Sequence, residues 1–139
     1  MMEGMKALAA KAACPCGRQN QKKPIPFGQC CGRWLETDAP APDAESLMRS
    51  RYSAFVLERG AYLLSTWHLT QRPTQIAFEP GVKWLGLDVR SHTVQDENHA
   101  VVEFVARQKP ASGAAVRLHE RSRFVREAGQ WLYMDGDSL

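Results

Sequence analysis

The sequence predicts an α+β protein: a small cysteine knuckle, then helices, then an antiparallel sheet. Three observations carry that reading. All four cysteines of the 139-residue chain fall between residues 14 and 31. A broad apolar face recurs at helical spacing after Asp43. From residue 82 onward, apolar and polar residues alternate in runs separated by turn-forming pairs. Helices first and strands after give a layered α+β architecture rather than a parallel α/β one.

The chain is long enough to bury a real core. Its net charge of +3, from 18 basic and 15 acidic residues, is too slight for the concentrated basic stripe of a DNA-binding protein. No stretch approaches the ~20 apolar residues of a membrane span. The small apolar run Ala7–Ala10 is too short for a signal peptide, with Glu3 before it and Lys11 after it. Clustered free thiols without an export signal point to a reducing cytoplasm.

Each element follows in order. Residues 1–13 read as a disordered tail and residues 14–36 as the knuckle. Residues 37–42 read as a linker, because Pro40 and Pro42 favour extended backbone. Asp43 is the expected N-cap of a helix running to Arg59, with Gly60 ending it. Its apolar face holds Leu47, Met48, Tyr52, Ala54 and Phe55, with Arg51 inside that face. A second helix spans Ala61–His68, and Pro73 forbids its extension. Strands are expected over Val82–Val89, His99–Gln108, Ala115–Arg126 and Gln130–Asp135. Asp96-Glu97-Asn98 and Ala128-Gly129 supply hairpin turns. In the second strand Ala100, Val102, Phe104 and Ala106 form the apolar face. In the third, Val116, Leu118, Glu120, Ser122 and Phe124 form the inward row. The whole of 43–139 is then one α+β domain.

The cysteines stand as Cys14-Pro15-Cys16 and Cys30-Cys31, with Gly17 and Gly32 directly after each pair. Two close thiol pairs joined by a loop can set four sulfurs at the corners of one tetrahedron, the geometry of a structural zinc site. One zinc held by Cys14, Cys16, Cys30 and Cys31 is the first reading. Cross-paired disulfides and a redox couple at Cys14-Pro15-Cys16 are the alternatives.

Glu120 and Arg51 are charged residues in apolar rows. Buried charges are nearly always paired, so the two are expected to meet, directly or through Ser122, Tyr52 or water. The other reading makes Arg51, Tyr52, His68 and Glu120 the lining of an interior pocket. His68 closes the second helix, where the dipole favours an imidazole. Its further readings are a pocket rim and a replacement zinc ligand. His119, Arg117, Arg121 and Arg123 form the outward row of the third strand, a solvated face. Trp131 and Tyr133 are the aromatic neighbours an RNA backbone would need there. No Ser-His-Asp set or glycine-rich phosphate loop is legible, so no reaction is defined.

The run Cys14-Pro15-Cys16-Gly17 with Phe27-Gly28-Gln29-Cys30-Cys31-Gly32-Arg33 resembles the SEC-C zinc motif. The stretch from Glu45 to Phe55 resembles the bacterial YchJ-like family. Thr66-Trp67-His68, Trp84-Leu85-Gly86-Leu87, His119 to Phe124 and Trp131 to Gly136 match in the same order. The resemblance implies a zinc knuckle followed by a cone-shaped domain, helices on a curved antiparallel sheet, similar to nuclear transport factor two and the cystatin-like superfold. Two departures are visible. The loop of thirteen residues between Cys16 and Cys30 is longer than usual, with the excess in Gln19–Pro26. The second, C-terminal cysteine motif of longer members does not occur before Leu139. SEC-C knuckles are associated with docking, so the resemblance implies an accessory protein that engages a protein or ribonucleoprotein partner. An enzyme or small-ligand-binding protein using the interior of the cone is the alternative.

Overall fold

The computed structural model describes residues 6–139. Residues 1–5 of the expected tail lie outside the described residues. Residues 6–13 are held: Lys6 N–H donates to Leu57 O at 2.9 Å, Phe27 N–H donates to Ala12 O at 2.7 Å, and Leu8 lies on the core.

The knuckle begins with a miniature hairpin, β1 (Gln19–Asn20) and β2 (Lys23–Pro24). Gln21 and Lys22 close it with φ of 51° and 67°, the left-handed pair of a type I′ turn. The extra length between the cysteine pairs therefore folds as an element of its own. A 3-10 turn (Phe27–Gln29) and the one-turn helix α1 (Gly32–Leu35) complete the knuckle.

Helix α2 spans Ala44–Val56, and Asp43 caps it as expected, accepting from Ser46 N–H at 2.7 Å. Such a cap is worth about 1 kcal/mol. The helix stops three residues before Arg59. Glu58 turns into the left-handed region with φ of 56°, and Arg59 folds inward to donate to Lys6 O at 2.8 and 3.0 Å and to meet Glu36. Gly60 consequently opens α3 (Gly60–Ser65) instead of ending α2. The chain after α3 is not helical to His68, because it pairs with the sheet: His68 N–H donates to Tyr133 O and Tyr133 N–H to Thr66 O, both at 2.8 Å.

Four long strands follow: β3 (Lys83–Asp96), β4 (His99–Lys109), β5 (Val116–Glu127) and β6 (Gln130–Ser138). They form one antiparallel sheet in the order β3-β4-β5-β6. The β5–β6 hairpin turns at Ala128 and Gly129, with φ of 51° and 76°. Edge strand β3 runs seven residues beyond the expected Val89 and breaks register with β4 at three places. Such bulges bend and twist an edge. Helix α2 lies across β3, β4 and β6.

Ala100, Val102 and Ala106 of β4 are buried as expected, and Val105 of the opposite row is buried as well. The inward row of β5 is buried only in its second half. Ser122 and Phe124 are inside, whereas Val116 and Leu118 are 41% and 37% exposed. One apolar cluster joins Leu47, Met48 and Tyr52 of α2 to Val102, Phe124 and Trp131, and the same cluster contains all four cysteines and Phe27. Ala41, inside the expected linker, is buried in it too. Among the described residues no helix is long and apolar enough to cross a membrane.

Candidate metal centre and interior cavity

The cysteine pairs are brought together by local backbone chemistry. Cys14 N–H donates to Ile25 O at 3.0 Å, and Gly17 N–H donates back to Cys14 O at 3.1 Å. Gly17 takes φ of 74°, which favours glycine there. On the other side, a Cβ on Gly32 would stand 2.7 Å from Phe27 O. Only glycine lets α1 start immediately after Cys31.

The four sulfurs all lie within 4.8 Å of one another, are buried, and form no disulfide. A tetrahedron with ~2.3 Å metal–sulfur bonds has edges of about 3.8 Å. Cys16 and Cys30 stand 3.6 Å apart, so the donor set fits a metal of that size. Crowding splits the thiols' ionisation. Cys14, accepting from Cys16 and then from Cys30 and Cys31, is held far below the ordinary thiol range. Cys30 and Cys31, whose protons the Cys14 sulfur holds, are pushed far above it. A divalent cation removes that conflict, because every coordinating thiol ionises.

Helix α2 closes the outer side of the cluster with polar side chains. Ser53 Oγ stands 3.7 Å from Cys14 Sγ. Arg49 donates to Cys16 O at 3.2 Å and reaches Cys16 Sγ at 4.0 Å, with Glu45 bracing its guanidinium at 2.8 Å. Arg18 of the knuckle donates to Ser46 at 3.2 Å. Two buried serines of α2, Ser46 and Ser53, which the apolar wheel did not single out, lie on the face that receives the knuckle.

On the other side of α2 the domain forms a half-open cavity of about 530 Å³. Arg51, Tyr52 and Glu120 line it, as the pocket reading of the sequence has it; His68 is not among its lining residues. His68 instead sits between Thr70, at 2.7 Å, and Glu127, at 2.8 Å. Nor is it near the sulfur cluster, whose members are the four cysteines alone. The walls are aromatic: Trp84 meets Tyr52 edge-on at 5.5 Å and Phe55 at 5.8 Å.

Arg51 and Glu120 do not meet directly, since they do not reach salt-bridge distance, and neither Ser122 nor Tyr52 bridges them. Arg51, 6% exposed, donates through Nη1 to Leu63 O at 2.8 Å and Thr66 Oγ1 at 2.7 Å. Burial pulls its guanidinium down to about 10. Glu120 accepts from Ser122, and from Tyr133 Oη at 3.3 Å. Tyr133 is the residue between them, its ring centroid 4.8 Å from the Arg51 guanidinium carbon. Ser122 was among the expected bridges, but it serves Glu120 alone. That Trp131 and Tyr133 share one face was legible in the sequence; that the face is the inward one, away from the basic row, was not. Trp131 is in the core and Tyr133 in the cavity wall, so neither supports the basic row of β5. Three of that row's four members meet carboxylates: Arg123 meets Asp135 at 2.6 Å and Asp137 at 2.8 Å, and Arg121 and His119 both meet Glu103.

Residues 43–136 match the family model described as YchJ, middle NTF2-like domain. A UPF0225 protein of Polaromonas sp. is 65% identical over 135 residues, covering 95% of this chain and 97% of its own. Two solved structures share the architecture. The solution structure of a SEC-C motif containing protein from Rhodopseudomonas palustris has a TM-score of 0.77 at 28% identity, covering 92% of this chain and 99% of that one. The crystal structure of a SEC-C motif containing protein from Psychrobacter arcticus has a TM-score of 0.70 at 27% identity, covering 91% and 82%.

Proposed function

The chain belongs to the YchJ-like family of UPF0225 proteins, and from that premise we propose that it is a zinc-stapled binding protein whose interior cavity takes a small molecule. Zinc would be held by Cys14, Cys16, Cys30 and Cys31; four thiolates leave no open position, so the ion would serve structure rather than reaction. The observation that carries the ligand reading is the cavity itself. Its volume of about 530 Å³ lies within the range of small-molecule sites, and it holds Arg51 and Glu120 apart instead of pairing them. A core serving stability alone would close over such charges or pair them. Docking of a protein or ribonucleoprotein partner through the knuckle rests on the resemblance and gains no comparable geometric support.

The test is a ligand-observed NMR screen of a fragment library against the zinc-loaded chain, repeated on Ala106→Leu and Ser122→Val, which crowd the cavity from two strands. Hits on the parent that weaken at least about tenfold in either folded variant are expected. An absence of hits, or hits indifferent to both variants, contradicts the proposal.

A further inference from the structure

We infer that the cavity is built for a monocarboxylate with an apolar body, its carboxylate seated on the Arg51 guanidinium beside Trp67. This inference rests on the ligand-binding reading above and specifies its chemistry.

The polar groups of the cavity wall divide by what they still lack. Glu120 accepts from Ser122 and Tyr133 through Oε2 alone, and among the described residues its Oε1 has no donor. Arg51 is a donor only, and its guanidinium makes its hydrogen bonds through Nη1, to Leu63 O and Thr66 Oγ1. Among the described residues no carboxylate reaches salt-bridge distance of it, although the side chain is almost wholly buried. Its positive charge is met by two ring faces, Tyr133 at 4.8 Å and Trp67 at 5.1 Å. Cation–π contacts are worth far less than an ion pair in a buried setting. Trp67, in the wall of the same cavity, has a buried indole N–H with no acceptor. What the site leaves open around Arg51 is therefore donor capacity that carries a positive charge, with the unpartnered Trp67 N–H beside it. A carboxylate supplies an anion and two acceptor oxygens, and a guanidinium is the side chain best shaped to take it.

The remainder of the cavity sets the rest of the molecule. Trp84, Phe104 and Phe124 give an apolar and aromatic surface for a hydrocarbon body. Glu120, a second carboxylate across Tyr133 from Arg51, repels a second anionic group. One charge at one end is selected and a diacid is disfavoured.

The experiment uses the zinc-loaded full chain and follows amide and indole N–H resonances during titration. The probes are hexanoate and phenylpropionate, each paired with its alcohol, and adipate as the diacid. The acids should bind at least about tenfold more tightly than the alcohols and adipate more weakly than hexanoate, as expected for a charge-assisted contact. The Trp67 indole signal should move with the acids. Arg51→Met should erase the acid-over-alcohol preference; Trp67→Phe should reduce it and provides the test if Arg51→Met does not fold. If acids and alcohols bind equally, the carboxylate inference is overturned while the cavity reading stands. If no probe binds, both fall.

Discussion

Single side chains decide what the metal centre and the cavity can do. Arg49 and Ser53 touch the sulfur ligands from the domain side, and partners of this kind typically change metal affinity by about 10–100-fold. Arg49→Gln should weaken zinc binding within that range, read by competition with a chromophoric chelator; an unchanged affinity would remove Arg49 from the centre. In the cavity, Arg51 touches Tyr133 and Tyr133 touches Glu120. In denaturant unfolding, Arg51→Met and Glu120→Gln should therefore couple more weakly than Arg51→Met and Tyr133→Leu, the pair in direct contact. Strong coupling between Arg51 and Glu120 would restore the direct pairing that the sequence led us to expect. The sequence marked both charges as misplaced in apolar rows. It did not mark Tyr133, because an inward tyrosine on a strand looks the same whether it fills a core or bridges two charges. His68 illustrates the converse: a helix-end histidine near Trp67 reads as a pocket residue until the backbone turns it toward Glu127.

At the scale of elements, α2 carries two jobs on opposite faces. Ser46, Arg49 and Ser53 receive the knuckle, while Arg51, Tyr52 and Phe55 wall the cavity. An apolar wheel finds the second face and misses the first, whose buried serines look like solvent positions until the sulfur cluster is laid against them. The strand pattern was legible where one side is buried, as in Ala100, Val102 and Ala106. It faded in β3 beyond Val89, where Ser91 and Thr93 continue the strand through ladder pairing with β4 rather than through burial. Because the cysteines share a core with α2, the knuckle is not an independent bead on a linker. Chelation should therefore loosen residues 14–36 and also broaden the amide signals of α2, leaving the dispersed signals of β4 and β5 in place. Metal binding supplies roughly 10–16 kcal/mol to isolated knuckles, so the loss falls first on the segment that holds the metal. Loss confined to residues 14–36 would contradict the shared core.

Across the whole molecule Tyr52 is buried and Tyr62 and Tyr133 are half-buried. Tyr52, Tyr62 and Tyr133 are the chain's three, and burial pushes each up to about 12. A phenol raised above its unfolded value of about 10 adds stability below that pH and loses it as pH climbs through the folded value. The account predicts no tyrosinate absorbance from the folded chain at pH about 10, and falling stability between about 10 and 12. A tyrosine titrating normally in the folded state would show that one of the cavity or helix contacts is absent. Stability and ligand space then come from the same layers: aromatic walls that shield the phenols also shape the cavity. The most direct measurement of the central claim is a set of intermolecular NOEs between hexanoate and the zinc-loaded chain. The account predicts contacts from the ligand's methyl end to Phe104 and Phe124, with its carboxylate end near Trp67. Contacts confined to the outer knuckle around Leu8, Phe27 and Trp34, or none at all, would contradict it.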